Sequence, residues 1–176
     1  RFIRSASRTL LEFRAANDWK ARAFKLTQPR AIVQSVLALA RLDQAADKEA
    51  IFAHWESLTV NKLDDETKLD AIRALQVAAI RLGEPEAALK SKLLEKLHRS
   101  LPASDERYNT EVAQLLVRWK SPLAAKLIVP LFERAASQEE QLGYAASLRF
   151  VTGEWPKGAK ENFFRWFLLE KFHKAG

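Results

Sequence analysis

The chain has 176 residues and no cysteine, so nucleophile or metal chemistry would fall largely to three histidines, His54, His98 and His173. They are far apart, and none stands at helical i, i+4 spacing from another, as a helix-borne metal pair would. Two carboxylate runs, Asp64-Asp65-Glu66 and Glu139-Glu140, could in principle do acid–base work. Such a pair needs a facing partner, and both runs sit where helices should begin, so capping explains them. There is no Gly-rich phosphate loop and no serine elbow. The expectation is therefore a protein that is not an enzyme, with no catalytic, cofactor-binding or metal residues and no cofactor.

Two other features concern surfaces. The chain opens on "RFIRSASR", and Arg14, Lys20, Arg22, Lys25 and Arg30 follow. On a helix Arg1, Arg4 and Arg8 share a face. Residues 1–30 carry a net +6 of the whole chain's +7, whereas 31–100 carry −1 and 101–176 carry +2. A groove built for nucleic acid would spread its charge more evenly. A solvated basic face, or a contact for an acidic partner domain or polyanion, fits better. The second feature is "ENFFRWFLLEKF", residues 161–172, with five aromatic rings. Phe163, Phe164, Phe167 and Leu168 fall on one broad helical face, with Trp166 and Leu169 at its edges. This predicts a seam that is partly internal and partly an inter-domain contact. The candidate interaction surface is thus Arg1, Arg4, Arg8, Arg14, Arg22, Phe164 and Trp166.

These residues need elements to hold them. The composition is 48% apolar with 5 Gly and 6 Pro, which favours a globular, helix-rich chain. No stretch reaches the roughly 20 apolar residues of a membrane span. Met is absent even at position 1, so a fragment of a longer chain is expected.

Apolar residues recur at helical spacing throughout. Ile32, Val33, Val36, Leu37 and Ala40 make one stripe. Leu69, Ile72, Leu75, Ala79 and Ile80 make another. Val112, Leu115, Leu116 and Trp119 make a third, and Tyr144, Leu148 and Val151 a fourth. No run alternates with period two. Helix starts are expected at Asp18, at Thr27 before Gln28-Pro29, at Asp64, Glu84-Pro85-Glu86, Ser104-Asp105, Ser121-Pro122, and at Ser137, whose Ser-x-x-Glu is a capping box. Gly83 and Gly153 are expected stops, and Pro130 should kink its helix. Tyr144 is expected in the core and Arg149 in a bridge to an acidic group of the adjacent repeat. The spacing gives about five helical hairpins, near 2–26, 28–58, 64–99, 106–136 and 138–173. Their 30–40-residue period is that of helical repeats. The predicted fold is all-α, a single right-handed α-α superhelix over 1–176.

The segments "RFIRSASRTLLE", "TQPRAIVQSVLALARL", "ETKLDAIRALQVAAIRLGEP", "YNTEVAQLLVRWKSPLAAKLI" and "SQEEQLGYAASLRFVTGEW" resemble the HEAT-repeat segment of large exported planctomycete-type proteins. Those proteins join a sugar-dehydrogenase-like propeller, a HEAT array and a c-type haem domain. The resemblance implies a HEAT/armadillo-like solenoid, an extracytoplasmic (periplasmic) setting, and neighbouring domains of the same parent chain as partners. The Cys-x-x-Cys-His of a haem module and the short strands of a propeller are both missing from these residues.

Two functions follow. One is a non-catalytic helical-repeat scaffold that holds a protein or a neighbouring domain. The alternative is a HEAT-like nucleic-acid binder or DNA glycosylase with a basic groove, which five Trp and the net charge support and the charge distribution opposes.

Overall fold

The structure, a computed structural model, describes residues 2–42 and 45–170; the side chains of 2–5, 7, 169 and 170 lie outside that description. Among the described residues there are ten α-helices and no strand. They are α1 (Phe2–Glu12), α2 (Lys20–Ala23), α3 (Pro29–Arg41), α4 (Lys48–Glu56), α5 (Asp65–Arg81), α6 (Ala87–Arg99), α7 (Glu106–Arg118), α8 (Ala124–Arg134), α9 (Gln138–Leu148) and α10 (Ala159–Glu170). None is long and apolar enough to cross a membrane. The chain divides into two compact units, Arg1–Glu111 and Val112–Gly176, with the division inside α7.

In the first unit α3 is central. It packs against α1, α2, α4 and α5, while α4 also packs against α5 and α6. Its expected stripe is buried at Ile32, Val33, Val36 and Ala40, and Ser35, Ala38 and Leu39 are buried as well. Each fully buried Leu or Val contributes about 1.5–3 kcal/mol. In α5 the stripe holds at Leu69, Ile72, Leu75 and Ala79, but Ile80 is 63% exposed. Ala71, Ala74 and Ala78 are buried instead. Small side chains let neighbouring helices come close on that face, and Ile80 lies one position round from it.

Polar bonds also tie separate helices of the first unit together. Arg30 donates to Asp64 and Thr67, Lys48 to the Glu84 carbonyl, and Glu86 N–H to Glu49. Lys96 donates to the Leu58 carbonyl, Ser104 to Asp65, Arg73 to Glu111, and Gln76 to the Glu111 carbonyl. All these partners are 34 to 39 residues apart.

The second unit is built from α8, α9 and α10, with Val112–Arg118 of α7. Val112, Leu115, Leu116 and Trp119 are all buried, as are Tyr144 and Leu148. α8 packs on α9. Phe132 of α8 meets Phe163 and Trp166 of α10 edge-on at 5.8 and 5.3 Å. α8 runs through Pro130, which has no N–H to give the Lys126 carbonyl.

Helix ends follow the punctuation in part. Asp64 caps α5, accepting the Thr67 N–H at 2.9 Å, and Asp105 accepts the Arg107 N–H at the start of α7. Ser137 accepts the Glu140 N–H, while Glu140 reaches back to the Ala136 N–H rather than to that of Ser137. Gly83 stands just past α5 at φ +81. Other ends differ. Thr27 is displaced as cap by Gln28, which makes no side-chain cap bond; Pro29 holds the first helical position. Asp18 closes a 3-10 turn, and Trp19 stands at the N-cap of a short α2. Gln28, preceding a proline, is extended (ψ 121), which stops α2 from running on into α3. Gly153 lies beyond the end of α9, at Leu148. α8 begins after a turn in which Ser121 accepts the Leu123 N–H.

α7 ends without glycine. The Ser121 N–H reaches the Leu116 carbonyl and the Lys120 N–H that of Val117, a Schellman pair. Lys120 stands at φ 53 in the left-handed position. Lys120→Gly should therefore stabilise the protein by about 0.5–1 kcal/mol, read as a rise in melting temperature; a fall would show that the lysine side chain itself supports the turn. Leu116→Ala, at a fully buried site, should cost about 2–5 kcal/mol in denaturant unfolding, and a cost well under that range would place the side chain outside the core.

Candidate protein-docking cleft

The first unit carries an open cleft of about 590 Å³ bounded by α1, α2 and α3. Its floor is Leu11, Trp19, Ala23, Leu26 and Ala31, and Arg8, Arg22 and Arg30 stand among the lining residues with Gln28, Gln34 and Ser35. A second cleft of about 420 Å³ adjoins it, lined by Leu10, Arg14 and Asp18 together with Leu11, Trp19 and Arg22, which the two share. Both volumes are within the range of recognition pockets.

The short α2 forms one wall because three anchors hold it. Trp19 and Ala23 are buried. Lys20 donates to Asp47 at 2.6 Å, ahead of α4. Phe24 packs edge-on against His54 of α4, with centroids 5.7 Å apart. Four residues of helix would not persist without such contacts.

The arginines differ in how they are engaged. Arg8 meets Glu12 at 3.2 Å and Gln34 at 3.5 Å, and Glu12 also faces Arg41. Arg30 donates to Asp64 and Thr67, and the Asp64 carboxyl is kept below its ordinary range by the Thr67 N–H and hydroxyl that donate to it and, less, by Arg30. Arg14 and Arg22 are exposed, with no carboxylate partner among the described residues. The Trp19 indole N–H likewise has no acceptor among them. Ser35 is no nucleophile, since its buried hydroxyl donates to the Ile32 carbonyl at 2.9 Å. Among the described residues the larger cleft is lined by no Asp, Glu, His, Lys or Tyr; it presents arginine and amide donors beside apolar surface.

Of the expected surface residues, the structure brings Arg8 and Arg22 into the larger cleft and Arg14 and Arg22 into the smaller. Arg1 lies outside the described residues, as does the side chain of Arg4. Phe164 and Trp166 belong to the other unit. Phe164 is 57% exposed, with Phe167 and Leu168 also exposed. Trp166 is half-buried and donates to Gln141 at 2.8 Å. Of the expected seam only Phe163 is buried, against Phe132 and Trp155; the expected edge residue Leu169 has no described side chain. Arg149 bridges to no acidic group among the described residues; it lies over the Phe150 ring at 4.5 Å. The cleft floor was missed in the sequence. Its signal was Leu11, Trp19 and Leu26 set among the arginines of a segment read only for charge.

What fold and site define is an all-α protein with an arginine-lined, apolar-floored cleft. Comparison with known proteins gives nothing nearer: no family model, no curated protein and no solved structure matches the chain.

His54, behind α2, is held below its ordinary proton affinity by burial, and so is His98. Both are therefore neutral in the folded protein under conditions where the unfolded chain binds protons. Their depressed values make stability fall as pH drops below about 6.5. Melting temperature should decrease from about pH 7.5 to 5.5, and His54→Leu should flatten part of that slope; an unchanged slope would mean that His54 gains no charge on unfolding.

Proposed function

We propose that this chain is a non-catalytic helical-repeat scaffold, a right-handed HEAT-like α-solenoid segment whose surface holds a partner protein or neighbouring domain. The observation that carries this reading is the set of polar bonds joining positions 34 to 39 residues apart in the first unit. The packing of α3 on α5 and of α4 on α6 supports it. Hairpins that bind the equivalent part of the next hairpin are the units of a solenoid. Such folds present long grooves, and the cleft described above has groups for recognition and none for proton transfer. The extracytoplasmic, multi-domain setting belongs to the same proposal.

The rival reading is a nucleic-acid binder. Anisotropy of fluorescent duplex and single-stranded DNA, at low and physiological salt, separates the two. A scaffold should bind weakly and without lesion or sequence preference. Tight binding with a steep salt slope, the signature of phosphate neutralisation, would overturn the scaffold reading.

A further inference from the structure

We infer that the paired clefts of the first unit dock an acidic amphipathic peptide segment of a partner protein. The segment sets a large apolar side chain against Leu11, Trp19 and Leu26 and directs carboxylates at Arg22 and Arg14. This deepens the scaffold reading and rests on it.

Charge complementarity gives the partner its sign. Arg8, Arg22 and Arg30 line the larger cleft with no carboxylate among its lining residues, and Asp18 is set against Arg14 and Arg22 in the smaller. Arg8 and Arg30 already have acidic neighbours, Glu12 and Asp64. Arg14 and Arg22 share the smaller cleft with Asp18 but make no ion pair among the described residues, so their guanidiniums keep a bidentate carboxylate contact available. Chain separation fits as well: the excess of +6 lies within residues 1–30, the same residues that build both clefts up to Arg30.

The floor gives the partner its apolar part. Leu26, in the larger cleft, is 39% exposed and Leu10, in the smaller, 67%. Nucleic acid needs phosphate contacts and gains little from an aliphatic floor. Two clefts that share Leu11, Trp19 and Arg22 as a common wall accept a ligand that extends over both. A peptide does so with side chains spaced i, i+3 or i+4 along a helix; a compact metabolite would fill one.

The test is selection of a random 16-residue peptide library, displayed on phage, against the full chain. Enriched peptides are then measured by anisotropy on wild type, Arg14→Glu, Arg22→Glu and, as a control in the second unit, Lys157→Glu, with anionic vesicles and duplex DNA in parallel. Arg14 and Arg22 are exposed and make no ion pair among the described residues, so their variants should fold; circular dichroism checks this. The expected result is enrichment of acidic residues within a turn or two of Leu, Phe or Trp. Affinity should fall about tenfold in Arg14→Glu and in Arg22→Glu, weaken with salt, and be unaltered in Lys157→Glu. Acidic peptides that bind both cleft variants as well as wild type would overturn the site and leave the scaffold reading standing. Enrichment without acidic bias would overturn the partner's chemistry. No enrichment overturns the inference outright, and tight binding to DNA or vesicles in that case takes the scaffold reading with it.

Discussion

A short helix cannot cover its own apolar stripe, and the packing of the first unit follows from that limit. α3 has seven buried positions in thirteen residues. One partner helix covers a single stripe, so α3 must be met by α1, α2, α4 and α5 together. The polar bonds between helices add register to that burial. Asp64 does this most economically. It caps α5 through the Thr67 N–H, accepts the Thr67 hydroxyl, and meets Arg30 of α3 at 3.3 Å. Arg30 and Asp64 are each about half exposed, so the ion pair itself adds little stability. Its effect is positional: it sets where α3 begins relative to α5.

The same placement reaches the cleft, because Arg30 is one of its lining residues. Across from it stands α2, four residues long and bounded by an extended Gln28 and a 3-10 turn. The cleft therefore has one rigid wall, α3, and one wall held by a few side-chain anchors. Local stability follows the density of buried contacts. An element held by Trp19, Ala23, Lys20 and Phe24 can shift to fit a partner more readily than α3, whose residues Val36, Ala38, Leu39 and Ala40 are fully buried.

What was legible in the sequence was local. A stripe such as Val112, Leu115, Leu116 and Trp119 states its own helix and its own buried face. Asp64, Ser137 and Gly83 act on backbone groups within a few residues, so their roles show in the chain order. The misses involve a choice between local options or a partner far away. Thr27 and Gln28 could each cap α3, and the proline fixed the choice in favour of the residue just before it. Ile80 lost its place because Ala71, Ala74 and Ala78 allowed a closer face. Lys120 occupies a position that chain order reserves for glycine, a cost accepted because Leu116 and Trp119 must both be buried before the turn. Arg149 has a ring beside it in Phe150, and that contact needs no acidic group from another helix. The arginine face was readable from its spacing, but its apolar floor was not, since Leu11, Trp19 and Leu26 come together only after α2 folds back on α3.

Groups with displaced proton affinity often mark reaction sites, and here they have structural causes. Asp105 is held down by Arg107, whose guanidinium it accepts at 2.7 and 3.0 Å, and it caps α7. Tyr108 is pushed up to about 12 by burial, and its hydroxyl donates to Ser100 at 2.8 Å, which in turn donates to the Leu97 carbonyl. Asp64 is a cap, and His54 is a packing partner of Phe24. Asp64, Asp105 and Tyr108 are hydrogen-bonded where they sit, and His54 is displaced by its burial alone. Arg14 and Arg22 are the opposite case: they displace nothing and fix nothing among the described residues, yet they stand on the rim of an apolar hollow. A charge that the fold does not use, next to apolar surface that the fold does not cover, is the arrangement that recognition requires and that folding alone does not explain.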